Sequence, residues 1–493
     1  MKSFESTQWQ QTIFNELNSH IINGIWNFLE LPFDRRLITW QWIFKLKFKS
    51  TSIIDRYKAP LVYLRFSQIS DLDINEIFLL IICIHSIHLI LALASQKNLH
   101  IHQMVVKTDF FHGILREESY MQVPEGIIPP RPGMRYKFHK TLYGLKQSLR
   151  EWYKVIDTFL ISLGFINSMA DGNVYYLHKI SAFAILTLYV DDTLIACNNL
   201  PLLQHIKTQL HGCFFLSNLR KAHHLLSLQI TWDINEGCIR ISQTLYLQQK
   251  LVEFGFQNAP PVSTPRVPGL SISAADCQAT SSPLTLMIPL DALLPNNLSF
   301  PYANAVGFLN WASLCTRPDL SFTISLLSQY RHNPGPAHIT ACNDTDWAGE
   351  VDQRKSTSSY CYILSNGIVS WGSSRQKSTA LSSTEAKYLV MAGAAFEVVW
   401  LQHLLHDLYQ DLTAPSIILC DNQSALAFVD TTKFHNRTKH IDVKYDFIQQ
   451  LSILKKLSFQ YCFIATMRAD LLTKALSGPK IIQHLPYLGI VGN

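Results

Sequence analysis

Closely spaced cysteine pairs are missing from this sequence. Its ten cysteines are scattered from Cys83 to Cys462, and no two of them form a C-x-x-C pair. The chain therefore has neither the spacing of a zinc finger nor a disulfide framework, which indicates a reducing compartment. Charged residues are also scarce, at 16% against 48% hydrophobic residues. This balance favours large buried cores over long disordered segments, and 493 residues are enough for two or three domains.

A signal peptide and a clear membrane span are lacking too. The N-terminal segment Met1–Ser6 is polar, unlike a signal peptide. The apolar run Ile77–Ala94 approaches the length of a span, but His85, Ser86 and His88 interrupt it. We interpret this run as a buried core helix and expect no membrane contact. The alternative, a membrane protein built around the run, predicts extraction only with detergent.

Two adjacent aspartates, Asp191 and Asp192, lie between two apolar runs rich in β-forming residues, 184–190 and 193–196. Such runs predict two strands joined by a turn at the aspartates. Two carboxylates beside an apolar core are costly without a partner, and a divalent cation such as Mg²⁺ would supply one. Aspartate is also a common turn residue, so the residues alone leave an ordinary hairpin turn open.

Resemblance favours the metal-binding interpretation. The motif Tyr189-Val190-Asp191-Asp192 on an apolar hairpin resembles the metal-binding motif of reverse transcriptases. Further blocks resemble, in the same order, the Pol polyprotein of copia-type LTR retrotransposons. These blocks are Arg56–Ala59, His102–Met104, Leu142–Gln147, Ile241–Gln243, Thr264–Pro265, Asp346–Gly349, Ser382–Ala386, Asp421–Asn422, Lys439–Ile441 and Ala469–Asp470.

The resemblance implies an α+β right-hand reverse transcriptase fold followed by an α/β RNase H-like domain. We expect fingers, palm and thumb in residues 1–265 and a linker and connection in residues 266–340. The RNase H-like domain is expected in residues 341–493. The sequence before the first acid of that domain is shorter than the family pattern, so we expect an N-terminally shortened domain whose sheet is damaged.

The same resemblance implies cofactors and partners. The expected cofactor is Mg²⁺ or Mn²⁺. The expected partners are an RNA template, a DNA primer, an RNA–DNA hybrid and deoxynucleoside triphosphates, with no membrane partner. The expected location is the cytoplasm or a virus-like particle. A formal net charge of +6 is compatible with such polyanions but does not demand them.

The polymerase residues implied by the resemblance are only partly present. Asp191 and Asp192 are the expected catalytic metal ligands of the palm. Arg56 and Lys58 resemble the basic residues that reach the triphosphate, and Lys146 and Gln147 resemble template or nucleotide contacts. These six residues form the predicted polymerase site.

The third carboxylate of the family motif falls on Val105. Two-metal phosphoryl transfer needs carboxylates around ions roughly 3.5–4 Å apart, and valine cannot ligate a metal. Asp109 is a conceivable substitute, but it lies four residues further, roughly 13 Å along a strand. We therefore expect the polymerase activity to be lost in this chain.

Four acids in the C-terminal part resemble the metal ligands of RNase H, namely Asp344, Glu385, Asp421 and Asp470. By alignment to the motif, Asp344 is preferred to Asp346 as the first ligand. Each acid also has an ordinary interpretation. Ser382 and Glu385 form a capping box, and Asp421 and Asp470 lie where an acid favours a helix N-terminus.

His435 and Arg437 resemble a basic loop that could contact substrate phosphates. We expect an RNA-directed DNA polymerase with an RNase H domain, both using two metal ions, in which polymerisation is lost. The alternative is a catalytically dead remnant that acts at most as a nucleic-acid-binding protein.

Overall fold

The structure is a computed structural model, and it describes the following residues: 6–33, 37–48, 54–63, 82–106, 113–115, 117–124, 127, 129–142, 145, 147–214, 216–233, 237–265, 302–329, 355–364, 367–376, 380, 382–408, 410, 412, 414–430 and 442–490. The chain forms two compact units. The first comprises residues 1–82, 100–168 and 172–221, and the second comprises residues 83–99, 169–171 and 222–493. The predicted division at residues 265 and 340 stays a prediction.

The helices are α1 (Ser6–Ile22), α2 (Ile84–Gln96), α3 (Ser148–Ser162), α4 (Leu200–Cys213), α5 (Thr244–Glu253), α6 (Tyr302–Cys315), α7 (Ser321–Gln329), α8 (Ser383–Asp407), α9 (Gln423–Asp430), α10 (Asp442–Ile453) and α11 (Gly478–His484). The strands are β1 (Trp26–Glu30), β2 (Leu37–Ile38), β3 (Trp40–Trp42), β4 (Lys45–Phe48), β5 (Ile54–Lys58), β6 (Leu61–Tyr63), β7 (His100–Val106), β8 (Tyr120–Met121), β9 (Met134–Phe138), β10 (Ile166–Asn167), β11 (Val174–Lys179), β12 (Ala182–Tyr189), β13 (Asp192–Cys197), β14 (Leu216–Lys221), β15 (His224–Leu225), β16 (Leu228–Asp233), β17 (Cys238–Ser242), β18 (Thr357–Leu364), β19 (Gly367–Arg375), β20 (Ser416–Cys420) and β21 (Leu457–Tyr461).

A six-stranded antiparallel sheet organises the first unit, in the order β10-β11-β12-β13-β7-β14. Its central strands are rich in Ile, Leu, Val and Thr, which pack well on a pleated surface. Side chains of α3 and α4, including Trp152 and Leu203, join Met104, Leu186 and Ile195 in one buried core. The helices therefore cover one face of the sheet, and the predicted hairpin is present as β12 and β13.

The first unit also contains a four-stranded sheet in the order β1-β9-β8-β2. Its core is aromatic. Trp26 stacks on Tyr136 with 4.5 Å between ring centroids and meets Phe138 edge to face at 5.9 Å. Two further pairs, β3 with β6 and β4 with β5, lie in residues 1–265, which are predicted to form the fingers, palm and thumb.

The second unit contains the antiparallel sheet β15-β16-β17, the hairpin β18-β19 and the parallel pair β20-β21. The long helix α8 supplies buried residues to two of its cores, including Met391 beside Cys420 and Val398 beside Ile418. Along the chain the hairpin comes first, then α8 and then the parallel pair, and the assignment of these elements to an RNase H-like domain remains a proposal.

Helix α8 is the one helix, among the residues that the structure describes, that is long and apolar enough to cross a membrane. Half of its apolar window is buried inside the protein, which is typical of a core helix. The run Ile77–Ala94 contributes to α2, which has only 13 residues, and residues 77–81 lie outside the described part. The prediction of a buried helix is confirmed for Ile87–Leu91, all of which are buried.

A buried polar cluster connects α2 to β19 and α8 within the second unit. The His85 Nδ1 atom lies 3.3 Å from Glu397 Oε1 and 3.1 Å from Ser370 Oγ, and Ser370 donates to Glu397 at 2.5 Å. The ring of His88 stacks on Trp371, with 5.1 Å between centroids. A histidine–carboxylate pair therefore lies inside an otherwise apolar contact between α2, β19 and α8.

Candidate active sites

The two aspartates of the palm motif lie at the tip of the β12–β13 hairpin. Tyr189 pairs with Asp192, so Val190 and Asp191 form a two-residue turn. Val190 has φ +57°, a left-handed conformation that β-branched residues rarely adopt. The Trp152 indole donates a 2.8 Å hydrogen bond to the Val190 carbonyl. The buried side chain of α3 thus holds the turn in its strained shape.

Strand β7 lies directly beside the aspartates. Val105 is the register partner of Asp192, and the Val106 amide donates to the Asp191 carbonyl at 2.9 Å. Opposed Cα atoms in an antiparallel pair are about 4.5–5.5 Å apart. A carboxylate at position 105 could therefore share a metal ion with Asp192, whereas the isopropyl group of valine offers no ligand atom.

A neutral amide takes part in this site instead. The Gln103 side chain donates to Asp192 Oδ1 at 3.0 Å, and Gln103 is buried. Sequence reasoning missed this contact, although Gln103 lies two positions before Val105 and hence on the same strand face. The bond occupies one oxygen of the Asp192 carboxylate, which the sequence predicts to be a metal ligand.

The predicted substrate contacts are only partly within the described residues. Lys58 is half-buried in β5, opposite Lys45 of β4. Gln147 is fully buried immediately before α3. The Arg56 side chain and Lys146 lie outside the described part, as does Asp109.

The part of the predicted capping box that Ser382 supplies is confirmed. The Ser382 hydroxyl accepts a 3.1 Å hydrogen bond from the Glu385 amide, and this bond caps α8. At the next helix the cap is Asn422, whose side chain accepts from the Ala425 amide at 2.8 Å. Asp421, directly before that cap, is therefore not needed for capping.

Asp421 and Asp470 line one cavity of about 580 Å³ in the second unit. Asp421 follows β20, and Asp470 lies in the 3-10 turn Arg468–Leu472 rather than at the start of a longer helix. Burial raises the pKa of the Cys462 thiol, and both carboxylates raise it further, which indicates that they are near the same point. Glu385 is not among the residues lining this cavity.

Each of these two carboxylates is bound by a lysine. The Lys387 ammonium lies 2.9 Å from one oxygen of Asp421 and 3.0 Å from the other. The Lys474 ammonium lies 3.0 Å from Asp470. Asp470 and Lys474 have the i,i+4 spacing that favours ion pairs on a helical turn, so the sequence alone could predict their pairing. Lys387 and Asp421 lie 34 positions apart, so the sequence could not predict that they pair.

The metal requirement can be tested against the residues that the structure describes. Within that part of the chain, no three His, Cys, Asp or Glu residues lie close enough together to hold a metal ion. Asp344, His435 and Arg437 lie outside it. The acids present in the described part therefore do not by themselves provide a metal centre at either site.

Comparison with known proteins connects residues 23–268, which include the β12–β13 hairpin, to one family. Residues 23–268 match the family model of the reverse transcriptase (RNA-dependent DNA polymerase). The chain is 34% identical over 518 residues to a retrovirus-related Pol polyprotein from transposon TNT 1-94 of Nicotiana tabacum, covering 99% of this chain and 38% of that one. It is 32% identical over 521 residues to the polyprotein from transposon RE2 of Arabidopsis thaliana, covering 100% and 34%.

Among solved structures, a foamy viral protease-reverse transcriptase in complex with RNA/DNA hybrid matches 92% of this chain and 54% of its own, at 11% identity and a TM-score of 0.45. The chain spans little more than a third of the length of the two Pol polyproteins. Because the family model covers the six-stranded sheet and its β12–β13 hairpin, and the transposon relatives extend along the whole chain, the family is clear. The chain belongs, through residues 23–268, to the reverse transcriptase family of copia-type retrotransposon Pol polyproteins.

Proposed function

We propose that this chain is the reverse transcriptase and RNase H portion of a copia-type Pol polyprotein whose polymerase activity is lost. Its ancestral substrates would be an RNA template, a DNA primer, deoxynucleoside triphosphates and an RNA–DNA hybrid. The ancestral cofactor would be Mg²⁺ or Mn²⁺, and the location the cytoplasm or a virus-like particle. Family membership and the palm hairpin support the ancestry.

The observation that carries the loss of polymerisation is the register of Val105 with Asp192. Metal ions in a polymerase palm stabilise both the attacking and the leaving oxygen of an in-line displacement. With Val105 beside the hairpin and the Gln103 amide on Asp192, the described palm offers Asp191 and Asp192 alone. The residues present do not fit a metal pair, so no polymerisation step follows from them.

Primer extension tests this proposal directly. The unmodified chain should not extend an RNA-templated DNA primer with Mg²⁺ or Mn²⁺, whereas Val105→Asp should gain extension because it restores a ligand opposite Asp192. Val105→Asn is the matched control, since it has the size of aspartate without the charge and should stay inactive. Robust extension by the unmodified chain would refute the proposal.

A second candidate function is nucleic-acid binding without catalysis. The lysine pairs on Asp421 and Asp470 favour it, because they neutralise the two acids that line the cavity. The test is a gel shift with an RNA–DNA hybrid at increasing salt, run beside a cleavage assay. Binding that weakens steeply with salt and leaves the hybrid intact supports this candidate. Mg²⁺-dependent cleavage that Asp470→Asn abolishes excludes it.

A further inference from the structure

The cavity of about 580 Å³ in the second unit runs along two strands. Its lining includes every residue of β20 from Ser416 to Cys420 and all of β18 except Ser358. Successive side chains of a strand point to opposite faces, so a cavity on one face of a sheet would meet only alternate residues. A lining of consecutive residues therefore places this cavity along the edges of β18 and β20.

Both edges are without a strand partner within the described part of the chain. There, β18 pairs only with β19, and β20 pairs only with β21, so each strand has one remaining edge. The row of backbone N–H and C=O groups on such an edge is a template for pairing with another chain. Two walls of the cavity thus consist of backbone hydrogen-bonding groups.

Helix α8 forms an apolar wall of the same cavity. Its lining residues recur at helical spacing on one stripe, which includes Val390, Met391, Ala394, Val398 and Leu401. Met391, Val398 and Leu401 are buried. A strand between β18 and β20 would place alternate side chains against this stripe, so those side chains should be apolar.

The polar part of the lining calls for donors and a negative charge. The charged lining residues are Asp421, Asp470, Lys387, Arg468 and Lys474, which leaves three cations against two carboxylates. The buried side chain of Gln376 also lines the cavity, and its oxygen has no hydrogen-bond donor among the described residues. A buried acceptor without a donor is costly. Backbone N–H groups and an acidic side chain would meet both needs.

We propose that this cavity is the docking site of an extended peptide strand from another polypeptide. The strand hydrogen-bonds to the edges of β18 and β20, and its alternate apolar side chains pack on α8. An acidic residue at one end of the strand meets the excess positive charge of the lining. In such strand addition, main-chain hydrogen bonds supply affinity and side-chain pockets supply specificity. Docking of this kind requires neither polymerase nor nuclease activity.

The experiment measures binding of a fluorescein-labelled peptide, Val-Thr-Val-Thr-Val-Asn-Asp, to the full chain by fluorescence anisotropy. The peptide should bind saturably. N-methylation of its two central residues should weaken binding by about tenfold or more, because consecutive N–H groups of a strand point to opposite edges and one bond to each edge is lost. Equal affinity of the N-methylated peptide, or no binding of the parent peptide, overturns the proposal.

Variants of α8 test where the peptide binds. Val398→Trp fills the cavity and should weaken binding by about tenfold or more. His403→Trp is the matched control, because this exposed position on the same helix is outside the lining, and it should bind like the parent. Equal affinities of the two variants overturn the proposal. If Val398→Trp does not fold, the comparison of the two peptides on the unmodified chain decides.

Discussion

Replacing His85 with asparagine should remove an alkaline loss of stability from the second unit. Burial alone would lower the pKa of His85, but hydrogen bonds to Cys83 and Glu397 outweigh it and raise the pKa from 6.5 to about 9. On the other side of the pair, burial would raise the pKa of Glu397, whereas bonds from His85 and Ser370 hold it below its ordinary value. The imidazolium and the carboxylate thus stabilise each other inside the unit.

The direction of the pH dependence of stability follows from whether the folded or the unfolded chain keeps the His85 proton. Between pH 6.5 and about 9 the folded chain retains the His85 proton and the unfolded chain loses it. The contribution of His85 to the free energy of unfolding is therefore fully present below pH 6.5 and disappears as the pH rises through about 9. A pKa difference of one between the folded and the unfolded chain corresponds to about 1.4 kcal/mol. His85, whose side chain is only 12% exposed, therefore contributes about 3 kcal/mol to the free energy of unfolding.

His88 acts in the opposite direction at acid pH. Burial and the neighbouring charge of His85 lower the pKa of His88 to about 4, so this ring is neutral in the folded chain. Its contribution is present above pH 6.5 and is lost as the pH falls towards 4. The combined contribution of these two histidines to the free energy of unfolding is therefore greatest near pH 6.5.

The measurement is urea unfolding of the full chain between pH 6 and pH 10, with the imidazole proton signals of His85 followed by NMR. The free energy of unfolding of the wild type should fall by about 3 kcal/mol over this pH range, whereas that of His85→Asn should change little with pH. Glu397→Gln should shift the His85 titration towards its ordinary pKa. His403→Asn, an exposed histidine on the same helix as Glu397, is the control and should keep the wild-type profile. An unchanged alkaline profile in His85→Asn would refute the reasoning.

Two further predictions concern stability. Ser382→Ala should cost about 1 kcal/mol, because the hydroxyl accepts the Glu385 amide at the start of α8. Ser477→Ala, at a helix start where no side-chain cap bond is made, should cost less, and equal losses in urea unfolding would contradict this. Gly372→Ala should destabilise by about 1–3 kcal/mol, since a Cβ there would lie 2.7 Å from the Tyr360 ring. Gly393→Ala in α8 meets nothing within 4 Å and should stabilise by about 1 kcal/mol, so a shift of both variants in the same direction would contradict the packing argument.

Local patterns in the sequence predicted local structure well. The apolar runs around Asp191 and Asp192 form the hairpin β12–β13, and the capping box at Ser382 makes its predicted bond. The family motif placed a hydrocarbon beside the aspartates, and the register of Val105 with Asp192 has that arrangement. These features depend on neighbours in sequence or on a short motif.

Contacts between distant residues were beyond the sequence. The bond of Trp152 to the Val190 carbonyl joins positions 38 apart, and only the packing of α3 on the sheet brings them together. The order of acids along the chain likewise could not tell that Asp421 and Asp470 share a cavity while Glu385 does not line it. The pairing of Lys387 with Asp421 likewise joins residues 34 positions apart and is seen only in the folded chain, whereas Lys474 lies four residues after Asp470.

The tryptophan bond at the tip of the hairpin has a consequence for how such a chain loses its chemistry. The shape of the turn is supported from below by the hydrophobic interior, through the hydrogen bond that Trp152 donates to the Val190 carbonyl. Substitution of a single ligand can therefore silence the palm while its architecture persists. Scaffold and reactivity can then change separately, and under the proposed loss of polymerisation the palm would need one carboxylate at position 105 rather than a rebuilt domain.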